Sequence, residues 1–262
     1  MKKSIRTIKS YAKKSLQGCF GSMILGMLAV FGLNALGSRM ATRLFGGSGI
    51  LNLILSEIFL LVVSLITGIF SAGYCYMQLN IAREKEFSLG DLIYFFKNQP
   101  DRVIIAGFVL AIIQVVTAIP YYYVSFATDM GVTLEEQMAW MTKVMGLMLL
   151  SIVLNLLVSL PFAMTFYIMA DDVELGGIAA LKESMRLMKG NLGRYLLLQI
   201  SFIPLLFLSV FTLYLALLWI IPYMEMSSAA FYRDLRGEFD YRETLPENPG
   251  YNIPEYRDDS EA

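Results

Sequence analysis

Five long apolar runs, separated by polar stretches, are the main pattern of the chain. An apolar helix of about 20 residues is long enough to cross the roughly 30 Å hydrocarbon core of a bilayer. Four of the runs predict one span each, at about 18–36, 50–77, 103–123 and 144–169. The fifth would make a helix of 38 residues from Tyr195 to Tyr232, about 57 Å long. It therefore predicts a hairpin of two spans, 195–211 and 213–231.

Short helices with one polar face are predicted ahead of three spans. In the segment 4–17, Ile5, Ile8, Ala12 and Leu16 share one face opposite several lysines, which predicts a helix lying on an anionic membrane surface. Ser88, three residues before Asp91, predicts a capped short helix. A third helix is predicted to place Ile178, Leu181, Met185 and Met188 together on one apolar face, opposite its charged residues.

An internal repeat supports the count of six spans. The segments LQGCFGSM (16–23), FKNQPDRV (96–103) and MKGNLGRY (188–195) align, and each falls where a surface helix turns into a span. The predicted fold is therefore an all-α polytopic membrane protein with six transmembrane helices, arranged as three repeats of a surface helix plus a helical hairpin. The glycine-containing stretch 37–49 and the polar stretch 125–143 are predicted to be loops.

Composition and charge agree with a membrane protein and add a topology. Hydrophobic residues make up 56% of the chain and charged residues 16%, against about 45–50% and about 25% in soluble domains. In the six-span arrangement, 18 Lys and Arg residues lie on one side and three on the other. The positive-inside bias then predicts cytoplasmic N- and C-termini.

The predicted membrane domain covers 1–235, and 236–262 is predicted to be a disordered, acidic cytoplasmic tail. This tail is rich in proline and acidic residues and has few aliphatic ones.

The sequence carries no catalytic, metal-binding or nucleotide-binding motif, so it predicts no catalytic residues, no metal site, no cofactor and no nucleic-acid partner. It contains no histidine, the commonest metal ligand and general base near neutral pH. Its two cysteines, Cys19 and Cys75, fall inside predicted spans and predict no disulfide framework. We therefore expect a protein that is not an enzyme.

Polar side chains inside the spans are the candidate site. An ionisable group in hydrocarbon costs at least about 2.5–3.5 kcal/mol, so Glu57 is the most informative of them. On one hypothesis Glu57 lines a cavity as a proton or cation site, together with Asn52, Asn155 and Gln114. On the other, Glu57 is protonated or bonds a neighbouring helix near the outer interface.

Small residues recur every four positions on the first two spans, at Gly18, Ser22 and Gly26 and at Ser64, Gly68 and Ala72. Such spacing lets helices approach closely in lipid. The contact it predicts is either within the chain or between copies of it.

The stretch LWIIPYMEMSSAAFYRDL (218–235) carries a specific resemblance. Its Trp219, Pro222, Tyr223, Phe231 and Tyr232, together with the opening AKKSLQGCFGSMI, resemble a bacterial integral membrane family, domain of unknown function 975. The resemblance implies a multi-pass protein of the bacterial cell (plasma) membrane and no established activity. The family usually has glycines between its last two spans, whereas this chain has none there.

Two functions follow as hypotheses. The first is a non-enzymatic membrane module that packs with itself or with a membrane-protein partner in the lipid bilayer. The alternative is a small transporter or lipid-handling membrane protein.

Overall fold

The computed structural model describes residues 2–47 and 49–239, which form helices and turns with no strand among them. The all-α prediction is confirmed. The helices, in chain order, are α1 (Ile5–Ser15), α2 (Phe20–Phe45), α3 (Ile50–Ala82), α4 (Tyr94–Lys97), α5 (Pro100–Ala127), α6 (Leu134–Ser159), α7 (Thr165–Asp171), α8 (Gly177–Met188), α9 (Leu192–Ile200), α10 (Ile203–Phe211) and α11 (Leu217–Leu235). Short 3₁₀ helices precede α4 (Leu89–Ile93) and follow α6 (Leu160–Phe162).

Five segments of the described chain are helical, long and apolar enough to cross a membrane. They are Phe20–Phe45, Ile50–Ala82, Pro100–Phe126, Leu134–Asp171 and Leu192–Phe211. The sixth predicted span corresponds to α11. This helix has 19 residues and carries Glu225, Arg233 and Asp234, and it is not among the five.

Two of the predicted loops are shorter in the structure than predicted, because helices extend into both stretches. The stretch 37–49 is helical to Phe45, where α2 ends. Gly37 continues that helix because its missing side chain makes room for Val63 of α3. In the stretch 125–143, α6 already begins at Leu134, since Thr133 and Glu136 form a capping box there. The helices therefore extend well beyond the apolar runs.

The last apolar run is divided into separate helices: α9 and α10 precede a turn, and α11 follows it. The chain turns over residues 212–216, between α10 and α11. Leu213 and Tyr214 take left-handed φ angles of 51° and 65° at this turn. Such angles cost a residue with a side chain of order 1–2 kcal/mol.

The packed core lies at one end of the bundle. It takes its buried residues from α1, the start of α2, the second half of α3, the start of α5, α7, α8 and α11. The remaining lengths of α2, α3, α5, α6 and α10 expose large apolar side chains. These surfaces suit contact with lipid rather than water.

Helix α1 forms as predicted and is capped by Ser4. The prediction that its apolar face lies on the membrane surface is wrong. Ile8, Ala12 and Leu16 are fully buried in the protein core, and α1 packs along α11. Its apolar face is therefore used within the chain and does not insert into the bilayer.

The predicted apolar face of α8 is buried only in part. Leu181 and Met188 are buried, but Ile178 and Met185 are exposed. Small residues replace them in the contact, because Gly177 packs directly against the backbone of α5 at Arg102. A close helix–helix approach thus decides the rotation of α8.

Three helices begin at the same position of the aligned segments: α2 at Phe20, α5 at Pro100 and α9 at Leu192. Helix α1 packs on α11, the 3₁₀ helix before α4 packs on α3, and α8 packs on both α7 and α5. The α1–α11, 3₁₀–α3 and α8–α7 contacts follow a cyclic order along the chain.

We predict that Gly73→Ala lowers the free energy of unfolding by about 1–3 kcal/mol, because its new Cβ would lie within 2.6 Å of the Asp91 carbonyl oxygen. The matched control is Gly146→Ala on α6, where an added Cβ meets nothing within 4 Å. It should instead stabilise by about 0.5–1 kcal/mol. Unfolding of both variants in mixed micelles measures this, and equal stabilities would contradict the close contact between α3 and the 3₁₀ helix.

Candidate functional site

A group of buried polar side chains lies where α3, α7 and α11 meet. We call Tyr74, Gln78, Tyr167 and Glu225 the Glu225 cluster. The Gln78 amide donates to the Glu225 carboxylate at 3.5 Å, and the Tyr167 hydroxyl donates to the Gln78 carbonyl oxygen. The same hydroxyl lies 3.2 Å from the Glu225 backbone oxygen. These contacts join three helices through their polar groups.

Local helix geometry positions these groups. Tyr74 and Gln78 are four residues apart on α3, so both side chains leave the same face of the helix. The Tyr74 hydroxyl donates to the Met23 carbonyl oxygen of α2 at 2.9 Å. Tyr74, Gln78 and Tyr167 are all buried, so the cluster lies inside the bundle.

Glu225 takes part in no ion pair within residues 2–47 and 49–239. A carboxylate removed from water without a positive partner is strongly disfavoured. The site therefore favours a proton on Glu225 or a bound cation beside it. An isolated acid of this kind inside a membrane protein indicates a functional site by default.

A cavity of about 540 Å³ lies beside the cluster, between α5–α7 on one side and α9–α11 on the other. We call it the lateral cleft. Its wall is mostly apolar, formed by residues including Leu110, Leu156, Phe166, Leu206 and Met224. Tyr195 and Gln199 supply polar groups to the same wall. Small-molecule sites commonly combine a large apolar surface with a few polar groups in this way.

Polar contacts connect the lateral cleft with the Glu225 cluster. The Tyr195 hydroxyl lies 3.2 Å from the Ser228 hydroxyl, and the Gln199 amide donates to the same oxygen at 3.2 Å. Ser228 follows Glu225 by three residues on α11, so the two side chains share a helix face. A line of polar groups thus runs from the cleft wall toward the half-buried Glu225.

An ion-pair network fixes the ends of the three helices that carry the cluster. Arg83, after α3, pairs with Asp171 of α7 at 2.7 Å and with Glu238 at 2.6 Å. Arg233 of α11 also pairs with Glu238 and donates to the Ala82 carbonyl oxygen. Burial by itself lowers the pKa of Arg83, but the bonds to Glu238 and Asp171 outweigh it and raise the pKa above its ordinary value. The network therefore consists of charged, short hydrogen bonds.

Comparison with known families identifies the chain. The family described as "Protein of unknown function (DUF975)" matches residues 1–238. The chain belongs to this family. No curated protein and no solved structure matches it. The resemblance expected from the closing motif is thus confirmed.

The five residues of α11 that carry the resemblance differ in how they pack. Phe231 and Tyr232 are fully buried, and the Tyr232 hydroxyl donates to Asp171 at 2.8 Å. The Tyr223 hydroxyl donates to the Lys9 carbonyl oxygen of α1 at 3.3 Å. Pro222 is buried, whereas Trp219 is exposed at the other end of the helix. Four of the five therefore contribute to packing around the Glu225 cluster.

The residues of the predicted intramembrane site have separate partners. The Tyr122 hydroxyl of α5 donates to Glu57 at 3.3 Å, and Asn155 donates to Thr117 of α5 at 3.1 Å. Asn52 lies beside Gly47, and Gln114 is exposed. Within the described residues, no recorded hydrogen bond joins the four to one another. A functional site at Glu57 stays a prediction.

The sequence pattern alone does not single out Glu225 as a site residue. The available signal was the same as for Glu57, an isolated acid in an apolar helix. The partner Gln78 lies 147 residues away in the chain. No spacing rule brings such positions together.

We predict that Gln78→Leu lowers the free energy of unfolding by about 1–3 kcal/mol, because it removes the side-chain acceptor of the buried Tyr167 hydroxyl and the amide that donates to the Glu225 carboxylate. Glu225→Gln should change it by less than about 1 kcal/mol, since the amide has nearly the same shape and needs no charge partner. Unfolding of both variants in mixed micelles measures the difference. A Glu225→Gln variant as unstable as Gln78→Leu would show that the fold itself requires the carboxylate.

Proposed function

We propose that this DUF975 protein is a non-enzymatic lipid-handling protein or small transporter that takes an amphiphilic molecule sideways from the bilayer. The observation that carries the proposal is the line of polar groups from the lateral cleft, through Ser228, toward Glu225. The cleft lies among three helical segments that are apolar enough to span a membrane. An acyl chain can therefore reach it without passing through water.

In this proposal the apolar wall of the cleft takes the tail of the ligand. Tyr195 and Gln199 face its polar end and hydrogen-bond to it in exchange for Ser228. Glu225 binds a proton or a cation that accompanies the polar group. The protein supplies binding and orientation, with no covalent step.

The proposed membrane domain has six spans in three units. The common start of α2, α5 and α9 and the cyclic packing of the surface helices support this arrangement. So does the turn between α10 and α11, which sends the chain back toward the packed core. Here α11 is the sixth span, and its charged C-terminal turn lies at the membrane edge.

The proposed location is the bacterial cell membrane, with both termini cytoplasmic. The distribution of Lys and Arg, 18 against three, supports this orientation. The packed core then lies at the cytoplasmic end, since it contains α1 and the residues that follow α3 and α7.

We predict that impermeant maleimide labels Val132→Cys and Leu213→Cys on intact cells, in a background with Cys19→Ala and Cys75→Ala. Val132 and Leu213 are 93% and 83% exposed, at the α5–α6 loop and the α10–α11 turn. Lys85→Cys, in the loop after α3, should react only after permeabilisation. If Leu213→Cys also requires permeabilisation, the sixth span is rejected.

We predict that Leu156→Trp sharply reduces the amount of phospholipid that stays bound to the purified protein, because the larger ring fills the lateral cleft. Leu149→Trp is the matched control. It lies two turns earlier on α6, is also exposed, and is not among the residues lining the cleft. Native mass spectrometry of protein extracted in mild detergent measures the retained lipid, and equal retention in both variants would contradict the cleft.

Packing with itself or with a membrane-protein partner is the second candidate function. An added Cβ at Gly68 on α3 meets nothing within 4 Å, so this small residue is open to another helix. Gly26, in contrast, is already used against Tyr74 and Met77 within the chain. The packing function takes precedence if neither tryptophan variant alters lipid retention and the purified protein is an oligomer that Gly68→Leu dissociates.

A further inference from the structure

A second cavity, of about 550 Å³, lies away from the lateral cleft. It forms where the N-terminal arm (residues 2–4, ahead of α1), the end of α8 and the end of α11 converge. We call it the basic cleft. Its charged lining residues are Lys2, Arg186, Lys189, Arg236 and Asp234. Four cations from three distant parts of the chain thus surround one carboxylate.

The single carboxylate does not neutralise these cations, because it is already engaged. Asp234 accepts a bond from the Arg194 guanidinium at 2.6 Å and another from the Lys3 backbone N–H at 2.9 Å. The side chains of Lys2 and Lys189, in contrast, have no hydrogen-bond or ion-pair partner within residues 2–47 and 49–239. The cleft therefore keeps an excess of positive charge.

The two arginines of the cleft are partly committed to acids outside it. Arg186 pairs with Glu183 at 2.7 Å, one turn earlier on α8. Arg236 lies 3.7 Å from Asp171 and 3.8 Å from Glu183. These contacts position the guanidinium groups, and they leave Lys2 and Lys189 as the cations available to a ligand.

The basic cleft is placed at the level of lipid headgroups. Asn191, one of its lining residues, directly precedes the candidate span Leu192–Phe211. The end of a span lies at the boundary between hydrocarbon and water, where lipid phosphates are found. Clusters of Lys and Arg at this level attract anionic lipids.

We propose that the basic cleft binds a phosphate-bearing anion through Lys2 and Lys189, supplied either by the headgroup of an anionic phospholipid or by free phosphate. This site is separate from the lateral cleft and does not depend on the proposed handling of lipid there. A ligand in it would bridge the N-terminal arm, α8 and α11, and so hold together three segments that meet at the membrane edge.

The test is titration of the purified full-length protein, in neutral detergent, with dioctanoyl phosphatidylglycerol, dioctanoyl phosphatidylcholine and sodium phosphate. The double variant Lys2→Gln/Lys189→Gln should weaken binding of the phosphatidylglycerol by at least about tenfold. Lys189→Arg should retain it, because the positive charge remains. Tight binding of phosphatidylglycerol alone assigns the ligand to a lipid headgroup, and equally tight binding of sodium phosphate assigns it to free phosphate.

The matched control is Lys97→Gln/Lys182→Gln, which removes two exposed lysines outside the cleft and causes the same change in net charge. It should bind like the unmodified protein. The proposal is overturned if the control loses as much affinity as the cleft variant, if the cleft variant loses none, or if phosphatidylcholine binds as tightly as phosphatidylglycerol. Unfolding temperatures without ligand confirm that the variants are folded.

Discussion

The C-terminal half of α11 is buried on every side, from Met226 to Asp234, and the other elements of the core are arranged around it. Helix α1 packs along it, α3 and α7 meet it at the Glu225 cluster, and Arg194 reaches its end at Asp234. A helix with no exposed face has to satisfy its polar side chains within the protein. The hydrogen bonds of Ser228, Tyr232 and Asp234 are the result.

Charged side chains join the helices at the edge of the proposed membrane. Arg102 is buried and donates to carbonyl oxygens at and after the end of α7, and Arg233 does the same at the end of α3. The last carbonyl groups of a helix lack partners within it and carry partial negative charge, so arginine stabilises them well. Arg102 thereby joins the start of α5 to the end of α7, and Arg233 joins α11 to the end of α3.

Two cavities with different chemistry follow from this arrangement. The lateral cleft is apolar with a polar wall at Tyr195 and Gln199, whereas the basic cleft carries an excess of cations. Both clefts adjoin α9. Asn191, just before this helix, lines the basic cleft, and Tyr195, within it, lines the lateral cleft. The apolar lateral cleft suits the amphiphile and the basic cleft suits the phosphate group that we propose as their ligands.

The sequence by itself determined the all-α class, the apolar runs, the helix caps at Ser4 and Ser88, and the turn after Phe211, because each depends on residues close in the chain. It also placed the repeat junctions, where aligned positions begin α2, α5 and α9. Only the tertiary structure decided which faces are buried. The rotation of α8, the burial of α1 against α11 and the pairing of Glu225 with Gln78 all depend on contacts between distant segments. Local periodicity determines which segments form helices. Close packing between the helices then determines which of several faces of similar polarity is buried.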